Sequence, residues 1–210
     1  MKVDRKAKNQ LKKDPIFKNI MTGLKPLNLS KSGNAFNELV KNIVYQQISY
    51  KAADKIYARF CLLMGNEKYK PKDLLKHDHD QIKAVGLSNQ KTHYVKNIAE
   101  FFIEKKLFKN DWSKLSDEEI TKLLTEIKGV GEWTVQMILI FELERPDVLP
   151  LKDLAIRQAM AEIYKIKKEK KALLEALTQI ADHWKPYRTL ATLYLWSWKR
   201  HQIELKKGKK

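Results

Sequence analysis

The chain has 210 residues and a formal net charge of +17 at pH 7, with 42 lysines and arginines against 25 acidic residues. This length fits one domain or two small lobes that share a core, and a hydrophobic content of 43% can supply that core. The single cysteine, Cys61, excludes an internal disulfide, a thiolate zinc site and a four-cysteine iron–sulfur cluster. No apolar run approaches a membrane span, and Met1–Gln10 is too charged for a signal peptide, so we expect no membrane partner.

The excess of basic residues has two interpretations. A net charge of this size attracts polyanions and would assist association with nucleic acid. Lysine outnumbers arginine, however, and surface lysines that only keep a protein soluble would give the same balance. Charge alone therefore leaves both open.

Hydrophobic periodicity predicts helices along nearly the whole chain, and therefore an all-α protein. In chain order the predicted helices are Phe36–Phe60, Asp80–Val85, Thr92–Phe102, Asp117–Ile127, Val135–Phe141, Leu154–Tyr164, Lys170–His183 and Pro186–His201. Ser116 and Glu119 form a capping box before the fourth of these. Val135–Phe141 is apolar except for Gln136, which indicates a helix buried on all sides. The basic tail Leu205–Lys210 is expected to be disordered.

A short turn interrupts this helical pattern at "EIKGVGEWTVQ", residues 126–136. Gly129 and Gly131 are expected to supply left-handed dihedrals or to allow a close approach of the backbone. The helix that starts near Glu132 leaves its first amides without intrahelical partners, and its dipole favours an anion there. With Lys128 alongside, the turn predicts a site for a nucleic-acid phosphate, read without regard to sequence. A plain connection between two helices would show the same glycines.

Five segments carry a resemblance to a known family. "LLTEIKGVGEWTVQMILIF" followed by "DVLPLKDLAIRQ" resembles the helix–hairpin–helix DNA glycosylase superfamily. "NIVYQQIS", "GLSNQKTHYVKNIA" and "WKPYRTLATLYLW" are similar to the 3-methyladenine DNA glycosylase II family, in the same order, over roughly residues 30 to 200. The chain resembles the compact members that lack an N-terminal β-rich domain. The resemblance implies an all-α, two-lobed fold with an active-site cleft between the lobes, lobe one at about 34–131 and lobe two at about 1–33 plus 132–204.

The resemblance also assigns the catalytic chemistry. The family's catalytic aspartate falls on Asp153, whose carboxylate would stabilise the oxocarbenium-like sugar. Asp153 also suits the N-cap of the helix that follows it, and both roles can hold at once. The lysine nucleophile of strand-cleaving relatives is replaced by Trp133, so the enzyme should be monofunctional. Lys128 and Lys152 do not match that lysine position.

The resemblance places a base pocket at Trp133, Trp196, Met137 and Ser197. An extruded base is held by stacking, and an alkylated purine is often cationic, so aromatic residues suit the pocket. On the last helix a stripe of apolar residues shares one face, and Trp196 lies on the opposite side; the stripe is Tyr187, Leu190, Ala191, Tyr194, Leu195 and Trp198. Met137 and Ser197 stand where relatives carry aromatic residues, which predicts a less aromatic pocket.

Two further DNA contacts and a cation site are implied in the same way. Gln46, Gln47 and Ser49 match the loop that fills the hole left by the flipped base, with Gln47 as the inserted wedge in the minor groove. The DNA-binding hairpin comprises Lys128, Gly129, Val130, Gly131, Trp133 and Thr134. The family hairpin also binds a monovalent cation, Na⁺ or K⁺, through carbonyls that match Thr125, Ile127 and Gly129. We expect no other cofactor and no iron–sulfur cluster.

The sequence therefore predicts a monofunctional glycosylase that excises alkylated bases from damaged double-stranded DNA. We expect a monomer and, if the source is bacterial, a cytoplasmic protein associated with the nucleoid. Two alternatives stay open: a non-enzymatic DNA-binding module that uses the hairpin as a clamp, and a glycosylase for oxidised or deaminated bases.

Overall fold

The computed structural model describes residues 5–28 and 33–207, and this part of the chain is helical without a strand. Its α-helices are α1 Arg5–Leu11, α2 Pro15–Gly23, α3 Ala35–Tyr45, α4 Tyr50–Leu63, α5 Pro71–Leu75, α6 His79–Ala84, α7 Asn89–Glu104, α8 Asp117–Leu124, α9 Glu132–Met137, α10 Leu154–Ile163, α11 Lys170–Asp182 and α12 Arg188–Lys207. Two short 3-10 helices, Leu107–Lys109 and Trp112–Lys114, precede α8, and a π-helix, Ile138–Glu142, continues α9. The all-α prediction is confirmed.

The chain divides into two compact units. The interrupted unit combines Met1–Leu29 with Glu144–Lys210, and the central unit is Ser30–Leu143. The boundary differs from the predicted lobe boundary at Gly131, because α9 and the π-helix pack on α3 and stay with the central unit. Val135 and Ile138 are fully buried there, so moving these helices to the other unit would expose a large apolar surface.

The core of the interrupted unit joins its first two helices to its last three. Fourteen buried residues form it: Ala7, Leu11, Phe17, Ile20, Ile156, Ala159, Met160, Leu177, Ala181, Trp184, Leu190, Ala191, Tyr194 and Leu195. Asp14 caps α2 by accepting the amides of Ile16 and Phe17 at 2.9 and 3.1 Å. Its other carboxylate oxygen accepts hydrogen bonds from the Tyr164 hydroxyl and the Trp184 indole. Residues at the two ends of the chain therefore hold one core together.

The core of the central unit is built around α3 and α7. Phe36 and Phe102 lie at its centre with ring centroids 5.4 Å apart, and both are buried. The predicted helix Phe36–Phe60 is wrong as a single element, since α3 ends at Tyr45 and α4 begins at Tyr50. Gln47 between them has a left-handed φ of 57°, which no α-helix can contain.

Several predicted helix ends also move. Helix α8 stops at Leu124 rather than Ile127, and α12 begins at Arg188 rather than Pro186. Because α12 continues to Lys207, the first three residues of the predicted disordered tail are helical, while 208–210 lie outside the described residues. No helix in the described ranges combines the length and apolar character needed to cross a membrane.

Candidate functional site

The glycine turn follows a well-capped helix in the central unit. The Ser116 hydroxyl accepts the Glu119 amide at 3.1 Å, and the Glu119 carboxylate accepts the Ser116 amide at 2.7 Å, as the capping box predicts. After α8 the Val130 amide donates to the Ile127 carbonyl at 2.9 Å and closes the turn. Helix α9 then starts with Gly131 as its N-cap. The predicted helix–turn–helix hairpin is present.

The two glycines of this turn have different reasons to be glycine. Gly129 has a φ of 103°, and a Cβ built on it would lie 2.3 Å from Cγ of the Tyr94 ring. Both the dihedral and the packing therefore exclude a side chain there. Gly131 has φ −99° and ψ 169°, extended backbone that any residue adopts, and a Cβ on it would meet no atom within 4 Å. The expectation of a left-handed dihedral is wrong for Gly131, and the alternative expectation, a close approach of the backbone to a ligand, stays a prediction.

The loop between α3 and α4 places Gln47 at an exposed tip. Gln46 is the C-cap of α3, and its side-chain amide donates to the Thr134 hydroxyl of α9 at 3.2 Å. Ser49 is the N-cap of α4, and its hydroxyl accepts the Ala52 amide at 3.3 Å. Exposed apolar side chains, Ile48 and Tyr50, stand beside Gln47. Of the three residues predicted as the wedge loop, Gln46 and Ser49 have structural bonds, and Gln47 has the exposed position that a wedge requires.

Helix α7 supports both the loop and the hairpin. The Lys91 ammonium donates to the carbonyls of Val44 and Gln46 at 2.8 and 2.7 Å. The Tyr94 ring lies against Gly129, and the Asn97 side chain donates to the Lys128 carbonyl at 3.2 Å. The segment "GLSNQKTHYVKNIA" contains these three residues, but the sequence predicted no role for them, because their partners are more than 30 positions away and no local pattern reports such pairs.

Asp153 is the N-cap of α10 in the interrupted unit. Its Oδ1 accepts the Ile156 amide at 3.0 Å, and its own amide donates to the Pro150 carbonyl at 2.9 Å. The Arg157 guanidinium donates to the Leu151 carbonyl at 3.1 Å and holds the preceding turn. The carboxylate is half-buried and fixed in direction. The capping interpretation is confirmed, and it leaves the predicted catalytic role intact because both were compatible.

The segment before Asp153 is tied to the start of α12. Asp147 receives two parallel hydrogen bonds from the Arg188 guanidinium, at 2.8 and 2.9 Å. The Thr189 hydroxyl accepts the Val148 amide at 2.9 Å, and the Thr192 hydroxyl donates to the Val148 carbonyl at 3.2 Å. Bidentate pairs of this kind fix geometry as well as adding energy. The segment that leads to Asp153 is therefore bonded to the N-terminal part of the helix that carries Trp196.

The predicted pocket residues are half-buried or buried. Trp196 and Ser197 are half-buried on α12, and Trp133 is half-buried on α9 beside the buried Met137. The helical-face argument for Trp196 is wrong in detail: α12 is buried on all sides from Thr189 to Leu195, and both Trp196 and Trp198 pack on the same core. Trp133 and Met137 belong to the central unit, and Asp153, Trp196 and Ser197 to the interrupted unit.

Metal-binding side chains do not cluster in the described part of the chain, where no group of three or more His, Cys, Asp or Glu residues could hold an ion. The predicted cation ligands are carbonyls instead. Of these, the Ile127 carbonyl already accepts the Val130 amide. A carbonyl oxygen has a second lone pair, so this bond is compatible with a further weak ligand.

Comparisons with known proteins agree with this geometry. Residues 40–183 match the family described as HhH-GPD superfamily base excision DNA repair protein. DNA-3-methyladenine glycosylase 1 of Schizosaccharomyces pombe is 35% identical over 163 residues, which are 77% of this chain and 71% of the relative. A putative DNA-3-methyladenine glycosylase, YfjP of Bacillus subtilis, is 29% identical over 169 residues, which are 78% of this chain and 58% of the relative.

Two solved structures are similar along most of their length. The S. pombe 3-methyladenine DNA glycosylase Mag1 in complex with abasic DNA has a TM-score of 0.80 and 32% identity, with 91% of this chain and 95% of that chain covered. A DNA-3-methyladenine glycosidase from Bacillus halodurans has a TM-score of 0.79 and 29% identity, with 96% and 92% covered. The capped aspartate, the glycine hairpin and these likenesses together lead to one assignment. The chain belongs to the HhH-GPD superfamily of base excision DNA repair proteins.

Proposed function

We propose that this protein is a monofunctional DNA glycosylase that removes alkylated bases such as 3-methyladenine from duplex DNA. The observation that carries the proposal is the carboxylate of Asp153, which matches the family's catalytic aspartate and is held in one direction by the Ile156 amide. The names of the relatives supply the substrate class.

The reaction needs a fixed negative charge and a water molecule. The bond from the sugar C1′ to the base nitrogen breaks, and its electron pair leaves with the base, so an oxocarbenium-like sugar forms. A cationic alkylated base departs readily because it leaves as a neutral molecule. The Asp153 carboxylate stabilises the sugar cation and orients the water that adds to C1′ and releases a proton. Where water is excluded, such stabilisation contributes on the order of several kcal/mol to the barrier.

Trp133 determines the end point of the reaction. Strand-cleaving glycosylases form a Schiff base with a lysine amine. An indole offers no such amine, so the product is an abasic site with an intact strand. We assign Trp133, Met137, Trp196 and Ser197 to recognition of the flipped base, with the two tryptophans stacking on it.

DNA contact is proposed for two elements of the central unit. The hairpin, Lys128 to Gly131 with Trp133 and Thr134, would hold a backbone phosphate on its amides, with the exposed Lys128 adding charge. Gln47 would enter the minor groove, fill the vacated space and hydrogen-bond the orphaned base. A monovalent cation on the carbonyls of Thr125, Ile127 and Gly129 would brace the turn; it takes no part in the chemistry.

The rival function is a DNA-binding module without catalysis, in which the capping bond to the Ile156 amide would be the whole role of Asp153. Asp153→Asn separates the two, because asparagine is as good an N-cap as aspartate but has no charge. Asp78→Asn is the matched control, since Asp78 caps α6 through the Gln81 amide at 2.8 Å.

The experiment measures single-turnover base release from duplexes that carry alkylated, deaminated or oxidised bases. We expect Asp153→Asn to bind these duplexes and to lose about 10³-fold or more in excision rate. The control should match the wild type. Excision by Asp153→Asn at the wild-type rate would remove the catalytic assignment. Absence of release from every duplex by the wild type would favour the binding module.

A further inference from the structure

Gln47 occupies a conformation that must be held by its surroundings. Its φ of 57° is left-handed although it carries a side chain. Such a conformation costs roughly 1–2 kcal/mol, so a loop of this kind adopts other conformations unless contacts fix it. The residues on either side therefore decide whether Gln47 is presented at the tip.

The Lys91 ammonium provides these contacts from another helix. It donates to the carbonyls of Val44 and Gln46, at 2.8 and 2.7 Å, which lie three residues and one residue before Gln47. These carbonyls belong to the last turn of α3, where intrahelical partners run out and the helix dipole favours a cation. The ammonium uses two of its three N–H groups on them. Burial lowers the pKa of Lys91, consistent with an ammonium turned toward the protein rather than toward solvent.

The same face of α7 holds the hairpin. Tyr94 packs on Gly129, and Asn97 donates to the Lys128 carbonyl, on the turns that follow Lys91. The Gln46 side chain adds a direct bond from the loop to Thr134 of α9. Within the central unit, the loop and the hairpin are therefore positioned by one helix, with Lys91 as the link to the loop.

We propose that Lys91 is a positioning residue for base excision: its ammonium locks the loop of residues 46–49 so that Gln47 is preformed for insertion into DNA. Lys91 itself does not contact DNA. A preformed wedge avoids ordering the loop at the moment of base extrusion, so the flipped state is more populated. The role of Gln47 in this inference rests on the proposed function.

Three single variants, and a double variant that combines two of them, test the inference. Lys91→Met keeps the length of the side chain and removes its donors. Lys96→Met, on the same helix, is the control for loss of one positive charge. Gln47→Ala removes the wedge side chain and leaves the two hydrogen bonds of Lys91 in place. Circular dichroism establishes that all three are folded.

Hydrogen exchange of the loop amides in the DNA-free protein is measured first. Lys91→Met should speed exchange of residues 46–50 by about tenfold, because two charge-assisted bonds are lost, while Lys96→Met should not. If the amides of residues 46–50 exchange at the wild-type rate in Lys91→Met, the proposal is overturned, whatever effect Gln47→Ala has on excision.

Single-turnover excision and binding to undamaged duplex are measured next. Lys91→Met should lower excision about tenfold and leave undamaged-duplex affinity and its salt dependence as in Lys96→Met. The double variant Lys91→Met/Gln47→Ala should be no slower than Gln47→Ala, because both changes remove the same step. Additive losses, or a salt dependence reduced only in Lys91→Met, would show that Lys91 acts on DNA itself and overturn the proposal. Wild-type excision in Gln47→Ala would instead overturn the wedge assignment of the proposed function. Hydrogen exchange of the loop amides would still decide whether Lys91 holds the loop.

Discussion

Replacing each hairpin glycine by alanine separates folding from DNA contact. At Gly131 the backbone is extended and a Cβ would have no atom within 4 Å. Alanine should therefore fit without strain, and its restriction of the unfolded chain, about 0.4–1 kcal/mol, should roughly offset its poorer N-cap preference, so that stability stays within about 1 kcal/mol of the wild type. At Gly129 the φ of 103° and the Tyr94 ring atom at 2.3 Å both oppose alanine. The dihedral costs about 1–2 kcal/mol and the overpacking about 1–3 kcal/mol, which together give about 2–5 kcal/mol of destabilisation.

Thermal unfolding followed by circular dichroism measures the first half of this prediction. For a protein of this size each kcal/mol shifts Tm by about 2–4 °C, so Gly129→Ala should melt roughly 5–20 °C lower. Gly131→Ala should melt within about 2–4 °C of the wild type. If both variants are equally stable, the contrast drawn from the two backbone conformations is incorrect.

Fluorescence anisotropy with undamaged and lesion-containing duplexes measures the second half. The Gly131→Ala methyl would stand where the proposed phosphate approaches, so affinity for both duplexes should fall about tenfold, equivalent to about 1.4 kcal/mol. Two salt concentrations should give parallel losses, since the phosphate contact is independent of sequence. A folded Gly131→Ala protein that binds both duplexes normally would mean that the hairpin is only a connection between helices.

Three other predictions concern chemistry and stability. Borohydride should trap no covalent protein–DNA adduct, and the product strand should break only after alkali or heat; prompt cleavage by pure protein would contradict the role given to Trp133. Asp14→Ala should lower the free energy of unfolding by about 2–4 kcal/mol in urea denaturation, because four hydrogen bonds are lost, whereas Tyr164→Phe should lower it by about 1 kcal/mol. Arg188→Lys removes the parallel pair of bonds to Asp147 and should slow excision more than it weakens binding to undamaged DNA. Equal losses of excision and binding would mean that the Arg188–Asp147 pair does not position the loop that carries Asp153.

Sequence patterns located most helices of this chain but not the break between α3 and α4. Periodicity continues through "IVYQQISYKAADKIY", which contains neither glycine nor proline, so nothing local announces that Gln47 is left-handed. Contacts at the break come from distant residues, among them the Lys91 ammonium on the carbonyls of Val44 and Gln46. Tertiary contacts thus override a local helical preference, and a single sequence does not report them.

The site residues illustrate the same limit. The capping role of Asp153 was predictable because it depends on residues within one turn. The burial of α12 was not predictable in this way. Thr189 and Thr192 are polar residues, yet both are buried, and their hydroxyls donate hydrogen bonds to the backbone carbonyls of Arg145 and Val148. Assigning helix faces from residue polarity treats such residues as exposed. It therefore wrongly placed Trp196 away from the core that Trp196 and Trp198 both contact.

The interrupted unit has a consequence for synthesis on the ribosome. Phe17 and Leu11 emerge early, but their core partners, such as Trp184 and Tyr194, follow the whole of Ser30–Leu143. At about 5–20 residues per second, that segment delays the partners by on the order of 10 s. During this interval the central unit is already synthesised, whereas the apolar faces of α1 and α2 still lack these core partners. The helices that follow the central unit in the sequence therefore complete a core whose first part precedes that unit.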